Sequence, residues 1–352
     1  MSEKAQEISG FQWQTDTPEG QSMRSQKLDE LKDDLAARST KAFLVIRNDR
    51  VVYEWYAPDH GLQKQHYTAS LAKALVGGVC LAIAMNDGRI ALDDKVAKHV
   101  SQWKDHPEKS KITIRHLGSH TSGLDEPKPK DQGGWRQTFW ERQDPPNDPF
   151  SISRDRPRVL FEPGTQIHYS NAGIAMLSYA ITATLKDAPE KDLRTMLRDR
   201  IMRPIGAPDE AWSVGYGQTF TVDGLPLVAP WGGGGYTARA AARVGRLMMR
   251  KGNWQGTQLI SEEAVQLTTG GAGLPGSCGM GWWTNADGRF EKLPTNAFWG
   301  SGAEHQTLLV VPSLSLVCVR NGGSLLSGKT ESGHAQNTFL FEPLLAAIMD
   351  TD

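Results

Sequence analysis

Apolar residues fall at helical spacing through much of the chain and in short unbroken or alternating runs near both ends. Residues 28–37 place Leu28, Leu31 and Leu35 on one side of an amphipathic helix. Residues 42–46 and 51–56 are β-forming runs on either side of Arg47-Asn48-Asp49-Arg50, a pattern that predicts a β-hairpin. Residues 74–85 are apolar on nearly every side and predict a helix wrapped in core, stopped at Asn86-Asp87-Gly88 where glycine supplies the left-handed terminus. Further helices are predicted over 113–117, 172–185, 192–201 and 238–249. Residues 125–165, rich in Pro, Gly, Asp and Trp, read as a long ordered loop over a site. The last third returns to strands at 281–283, 307–311 and 316–320, and a helix over 339–349 closes the chain.

Strands at both ends around a helical middle predict an α+β fold. One antiparallel sheet flanked by helices would be built from residues 25–95 and 225–352, with residues 96–224 as an inserted, mostly helical domain. A length of 352 residues suits one large or two interleaved domains.

Charge narrows the partners. With 39 Lys+Arg against 40 Asp+Glu, a formal net charge of −1 and no long basic run, sequence-independent nucleic-acid binding has no electrostatic support, and a small molecule is the expected partner. Cys80, Cys278 and Cys318 are too few and too scattered for a disulfide framework or a zinc site, and read as core thiols. Residues 1–7 carry no apolar leader segment, and the 74–85 run is too short and too glycine-broken to span a bilayer. The cytoplasm is therefore the default compartment, or the periplasm or exterior if a leader has been removed.

Ser70-Leu71-Ala72-Lys73 opens the apolar helix. Residues three apart share a helix face, so the Lys73 amine can fold back onto the Ser70 hydroxyl. A serine needs such a partner to take its proton, and an amine at the mouth of a buried helix is desolvated and therefore less basic. A second copy, Ser101-Gln102-Trp103-Lys104, runs into the polar, proline-broken stretch Asp105-His106-Pro107 and reads as surface. The chain's one Tyr-x-Asn is Tyr169-Ser170-Asn171. There a lysine cation would push the phenol toward phenolate, and Asn171 could hold Lys73 and touch substrate. Trp231-Gly232-Gly233-Gly234-Gly235-Tyr236 lacks the lysine of a phosphate loop and reads as a turn permitting close packing. His116 and His120, at i and i+4, have no evident third ligand, so packing and capping are expected rather than metal binding. His168 and His305 are candidates to assist.

Several segments, in order and spacing, resemble the serine beta-lactamase-related hydrolases: residues 67–73, 87–94, 112–124, 161–165 with 169–171, and 234–239. The resemblance covers about residues 25–345 and implies the class C beta-lactamase and family VIII carboxylesterase type of fold. It implies Ser70 as nucleophile, with Lys73 and Tyr169 sharing proton transfer. The family's Lys-Thr-Gly element is not intact: Phe298-Trp299-Gly300-Ser301-Gly302 stands in its place without a lysine, and Lys329-Thr330 is followed by Glu331. A main-chain N–H near Ser301 or Gly302 could pair with that of Ser70 as an oxyanion hole. Trp299, with Trp135, Trp140, Trp231, Trp282 and Trp283, suggests an apolar acyl or aryl pocket.

The expectation is a cofactor-free, metal-free serine hydrolase acting on small carboxylic esters. The alternatives are a beta-lactamase or D-aminopeptidase/penicillin-binding type of amide hydrolase, and a catalytically idle ligand-binding relative. The missing lysine favours esters, because a β-lactam or D-alanyl peptide brings a carboxylate that the lysine would hold.

Overall fold

The computed structural model describes residues 10–128, 130, 132–274, 278–326 and 334–349. Its centre is a seven-stranded sheet of β1 (Gln14–Thr15), β2 (Thr40–Arg47), β3 (Arg50–Tyr56), β4 (Trp283–Thr284), β5 (Phe298–Gly302), β6 (Gln306–Val311) and β7 (Leu316–Gly322). The spatial order is β1-β3-β2-β7-β6-β5-β4. All pairings are antiparallel except β1 with β3. Early and late parts of the chain meet where β2 pairs β7, with Leu44 opposite Val319. The predicted hairpin is present: Asn48 and Asp49 turn it with φ of 50° and 63°, the left-handed pair that matches strand twist.

Alternation along the strands gives the sheet two buried faces. Phe43, Val45, Leu309, Val311 and Cys318 pack on α1 (Ser25–Ala37), through Leu28, Leu31 and Leu35, and on Leu340, Phe341 and Leu344 of the C-terminal helical segment. Leu44, Ile46, Leu308, Val310, Val317 and Val319 face the other way, onto α2 (Ala69–Asn86) and α4 (Ala238–Met249), with α3 (Asn171–Ala183) beyond. The fold is α+β. All three cysteines are free and buried.

The helix α2 is longer than its apolar run. It starts as a tight 3-10 turn at Ala69–Leu71, widens into a π turn at Lys73–Gly78, and becomes regular at Val79–Asn86. Among the described residues it alone is long and apolar enough to cross a membrane, with mean hydropathy 1.6 over 18 residues, yet 78% of it is buried inside the protein.

Residues 125–165 are not a loop throughout. They contain helices Gly134–Glu141 and Pro149–Asp155. The second starts where the Asp148 carboxylate accepts from Phe150 N and Ser151 N at 2.8 and 3.0 Å with proline at the first position. Both helices bury a phenylalanine, Phe139 and Phe150, against the Trp231 ring at 5.2 and 5.3 Å. Residues 129 and 131 lie outside the described residues.

Candidate active site

Ser70 sits in the first turn of α2, reached through Ala69, a non-glycine residue with φ of 47°. The turn is held from behind. Thr68 Oγ1 donates to the Gly233 carbonyl at 2.6 Å and Thr68 N to that of Gly234 at 3.2 Å. Gly233 and Gly234 have φ of 69° and 71°, and a Cβ on either would lie within 2.6 Å of the 213–215 backbone. The glycine-rich loop is thus a close-packed brace for the Ser70 turn, and its strain is held by bonds on both sides.

Two groups converge on the Ser70 hydroxyl. Tyr169 Oη donates to Ser70 Oγ at 2.7 Å, and Lys73 Nζ lies 3.1 Å from the same oxygen. Lys73 also donates to the main-chain carbonyl of Trp231 at 2.7 Å and stands 4.7 Å from the centre of the Tyr169 ring. Asn171, expected to hold Lys73, does not. Its Nδ2 and its backbone N both donate to the Glu126 carboxylate at 2.5 Å, and its Oδ1 has no partner among the described residues.

Burial governs the charges here. Lys73 is only 3% exposed, and desolvation lowers its pKa while the Glu126 carboxylate opposes the change. Desolvation raises the Glu126 pKa, opposed by the Asn171 hydrogen bonds and by Lys73. Two opposite ions that are costly to bury are thus both moved toward their neutral forms. The phenol behaves contrary to expectation: burial raises the Tyr169 pKa above its ordinary value, so Tyr169 rests protonated rather than as phenolate. His120 packs at a tilt against the Tyr169 ring, with centroids 4.6 Å apart, and accepts from Ser170 N through Nδ1; its pKa is lowered to about 3 by burial, then by Lys73. It is a neutral support for the tyrosine.

Strand β5 forms the opposite wall. A Cβ on Gly300 would lie 2.3 Å from Leu71 Cδ1, and one on Gly302 would lie 2.3 Å from Thr68 O and 3.0 Å from Leu71 N. These glycines let the strand touch the Ser70 turn, and the lysine of the intact element would not fit here without displacing it. The neighbour β4 covers only Phe298 and Trp299, so the outer edge is open beyond Trp299. Asn285 N donates to Ala297 O across this edge. Backbone groups alternate sides along a strand, so the N–H groups of Trp299 and Ser301 point the same way, those of Gly300 and Gly302 toward β6. The Ser301 N–H therefore lies at the open edge.

Side chains alternate as well. Trp299 and Ser301 project onto the sheet face opposite Ser70, where the Trp299 ring packs on Phe341 at 5.4 Å and Ser301 Oγ donates to Gln336 Oε1 at 3.0 Å. Trp299 therefore does not line the space in front of Ser70 with its side chain. Trp231 and Trp282 are core, Trp282 against Phe298 at 5.3 Å. Trp140 donates to the Pro127 carbonyl at 2.6 Å, and Trp135 is half-buried. Lys329 and Thr330 lie outside the described residues.

The remaining candidates are placed elsewhere. Ser101 and Lys104 are exposed. His116 Nδ1 accepts from Thr113 N and closes a capping box. His168 N donates to the His120 carbonyl at 2.7 Å, and its ring meets Phe161. His305 Nδ1 accepts from Leu325 N at 3.1 Å.

Glu126 and the Trp231 carbonyl were missed from sequence. Glu126 lies two positions after the 112–124 segment, and an acidic residue there was the available signal; a main-chain acceptor leaves none.

A sequence model of the family described as Beta-lactamase matches residues 28–322. The 6-aminohexanoate-dimer hydrolase of Paenarthrobacter ureafaciens is 26% identical over 256 residues, 70% of this chain and 61% of that protein, so the match spans under two thirds of that relative's length. A crystal structure of a family VIII carboxylesterase superposes with a TM-score of 0.70 at 15% identity, covering 93% of this chain and 99% of the other. A penicillin-binding protein homologue from Caulobacter crescentus gives 0.65 at 17% identity, covering 86% and 93%.

Proposed function

Since the chain belongs to the beta-lactamase family of hydrolases, we propose that it forms an acyl-enzyme on Ser70 and hydrolyses small carboxylic esters. The observation that carries this is the meeting of Lys73 Nζ and Tyr169 Oη on one hydroxyl oxygen, at 3.1 and 2.7 Å. Uncharged Lys73 takes the Ser70 proton as Oγ attacks the carbonyl carbon. The oxyanion that forms is held by the Ser70 N–H and an outward N–H of the open edge of β5, a contribution of about 3–4 kcal/mol where such donors are removed singly. When the carbon–oxygen bond breaks, Tyr169 gives its proton to the leaving oxygen and recovers one from the Lys73 ammonium. Water then attacks the acyl carbon, its proton returns through the same base, and Ser70 is released.

Esters are favoured because Gly300, not a cation, stands beside Leu71 and Ala74. Cleavage of a linear amide is the second reading, supported by the relative named for hydrolysing 6-aminohexanoate dimer.

The test is hydrolysis of p-nitrophenyl acetate and butyrate by the native chain and by Ser70→Ala, alongside nitrocefin and a D-alanyl peptide. The expected result is ester turnover that falls about a thousand-fold or more in Ser70→Ala. Equal rates for the two proteins would end the proposal, and faster turnover of nitrocefin or the peptide would move the substrate to amides.

A further inference from the structure

Glu304 lies in the turn Ala303–His305, directly after the glycines of β5 that press on the Ser70 turn. The backbone there is strained, since Glu304 and His305 are non-glycine residues with φ of 59° and 63°. Arg320 holds it from below. Its Nη1 donates to the carbonyls of both residues, at 2.8 and 3.3 Å, while the Glu304 side chain stays exposed. Tyr67, three residues before the nucleophile and 44% exposed, donates its hydroxyl to the Glu304 carboxylate. One face of the Tyr67 ring stacks on His66, with centroids 4.7 Å apart, so its exposed area is on the other. His66 adds no charge, because burial, then His60, lowers its pKa to about 4. Among the described residues no cation pairs with the Glu304 carboxylate. A carboxylate left without a cation, beside an open aromatic face, is a receptor for an organic ammonium.

The position of the turn says which part of a substrate it meets. Tyr169 serves the leaving oxygen, and His120, packed against Tyr169, is 6.5 Å from Trp283, which pairs with Trp299. The leaving group therefore lies toward the Trp299 end of β5. Glu304 follows the opposite end, tied by Tyr67 to the chain that leads into Ser70. An ester whose carbonyl carbon meets Ser70 with its leaving oxygen toward Tyr169 sends its acyl chain toward this turn. Two residues of backbone past Gly302 are at most about 7 Å, a reach that an acyl chain of five methylenes covers.

We propose that Glu304, steadied by Tyr67, is a specificity-determining residue that selects substrates whose acyl chain ends in an ammonium group. The carboxylate supplies the charge and the open face of Tyr67 the aromatic contact. The proposal rests on the serine-hydrolase reading for its effect on turnover, though not for its effect on binding.

The test compares p-nitrophenyl 6-aminohexanoate with p-nitrophenyl heptanoate, which carries a methyl in place of the ammonium, in the native chain, Glu304→Gln and Glu304→Lys. Glutamine keeps an acceptor for the Tyr67 hydroxyl and removes only the charge. Glu304→Gln is expected to lower kcat/KM for the aminohexanoate about five-fold beyond any change for the heptanoate, mostly through KM, the size of an exposed ion pair with an aromatic contact. Glu304→Lys is expected to deepen that loss, and added salt to reduce the native preference. Equal changes for the two esters, or a native ratio restored in Glu304→Lys, would overturn the proposal and leave Glu304 as a tie for Tyr67. A second arm titrates the anilide of 6-aminohexanoate into Ser70→Ala with and without Glu304→Gln, followed by calorimetry. Binding that Glu304→Gln weakens about five-fold supports the subsite, whereas no binding, or equal binding in both, overturns it. If Ser70→Ala keeps full activity, the serine reading fails, while this binding arm still decides the subsite.

Discussion

Glu126 and Lys73 are both buried; burial moves each toward its neutral form, and each partner's charge opposes that move in the other. The carboxylate favours the lysine cation, yet the proposed first step needs the amine uncharged. Activity is therefore expected to rise with pH through the lowered Lys73 pKa and then level off, the limb belonging to the pair rather than to one group. Glu126→Gln removes the charge that favours the cation, so the rising limb of kcat/KM on a p-nitrophenyl ester should move to lower pH. A limb that stays put or moves to higher pH would remove Glu126 from the electrostatics of the site. Tyr169 rests protonated, so Tyr169→Phe is expected to slow alkyl esters about ten-fold or more beyond its effect on p-nitrophenyl esters, whose leaving group needs no proton. A comparison of rates across leaving groups checks this. Ser70, Lys73 and Tyr169 were legible because their relation is a short spacing or a local motif. Asn171 was visible, but its partner was not: Glu126 is 45 positions away in the chain, and the Trp231 carbonyl that holds Lys73 is 158 positions from it.

Strand β5 and helix α2 fit one another through missing side chains. Gly300→Val would drive methyl groups into Leu71 and Ala74, and is expected to cost about 1–3 kcal/mol in urea unfolding, with ester turnover falling as the Ser70 turn shifts. Unchanged stability would mean that the strand can back away from the helix. The hairpin of β2 and β3 was readable because Asn48-Asp49 between two β-rich runs is both a composition and a geometry. The helices within residues 125–165 were hidden by their proline, glycine and tryptophan content, although Asp148-Pro149 carried the start signal of the second. The uneven winding of α2 was invisible to periodicity, since a segment apolar on all sides shows no stripe from which to measure its pitch. The open edge of β5 depends on where β4 stops, and no local pattern marks that.

Across the whole molecule, one buried cation joins distant parts of the chain. Arg320 on β7 is fully buried and donates to Thr40 Oγ1 and to the carbonyls of Arg38, Glu304, His305 and Gly323 at 2.7–3.3 Å. Arg320→Met strands several of these acceptors and is expected to lower stability by more than about 3 kcal/mol, read from the urea midpoint. A loss under 1 kcal/mol would show that water replaces the guanidinium. The two-ended sheet was foreseeable from the placement of strand patterns, whereas this clamp was not, because its acceptors are mostly main-chain oxygens. The three sequestered thiols give the assembly a built-in stopwatch. Cys80 lies in α2, Cys318 in β7 and Cys278 beside β4, and burial raises the pKa of each, so Ellman's reagent can reach them only when the surrounding protein comes apart. If helix and sheet yield as one unit, all three should label at a single rate, whereas staggered rates would reveal which portion loosens first.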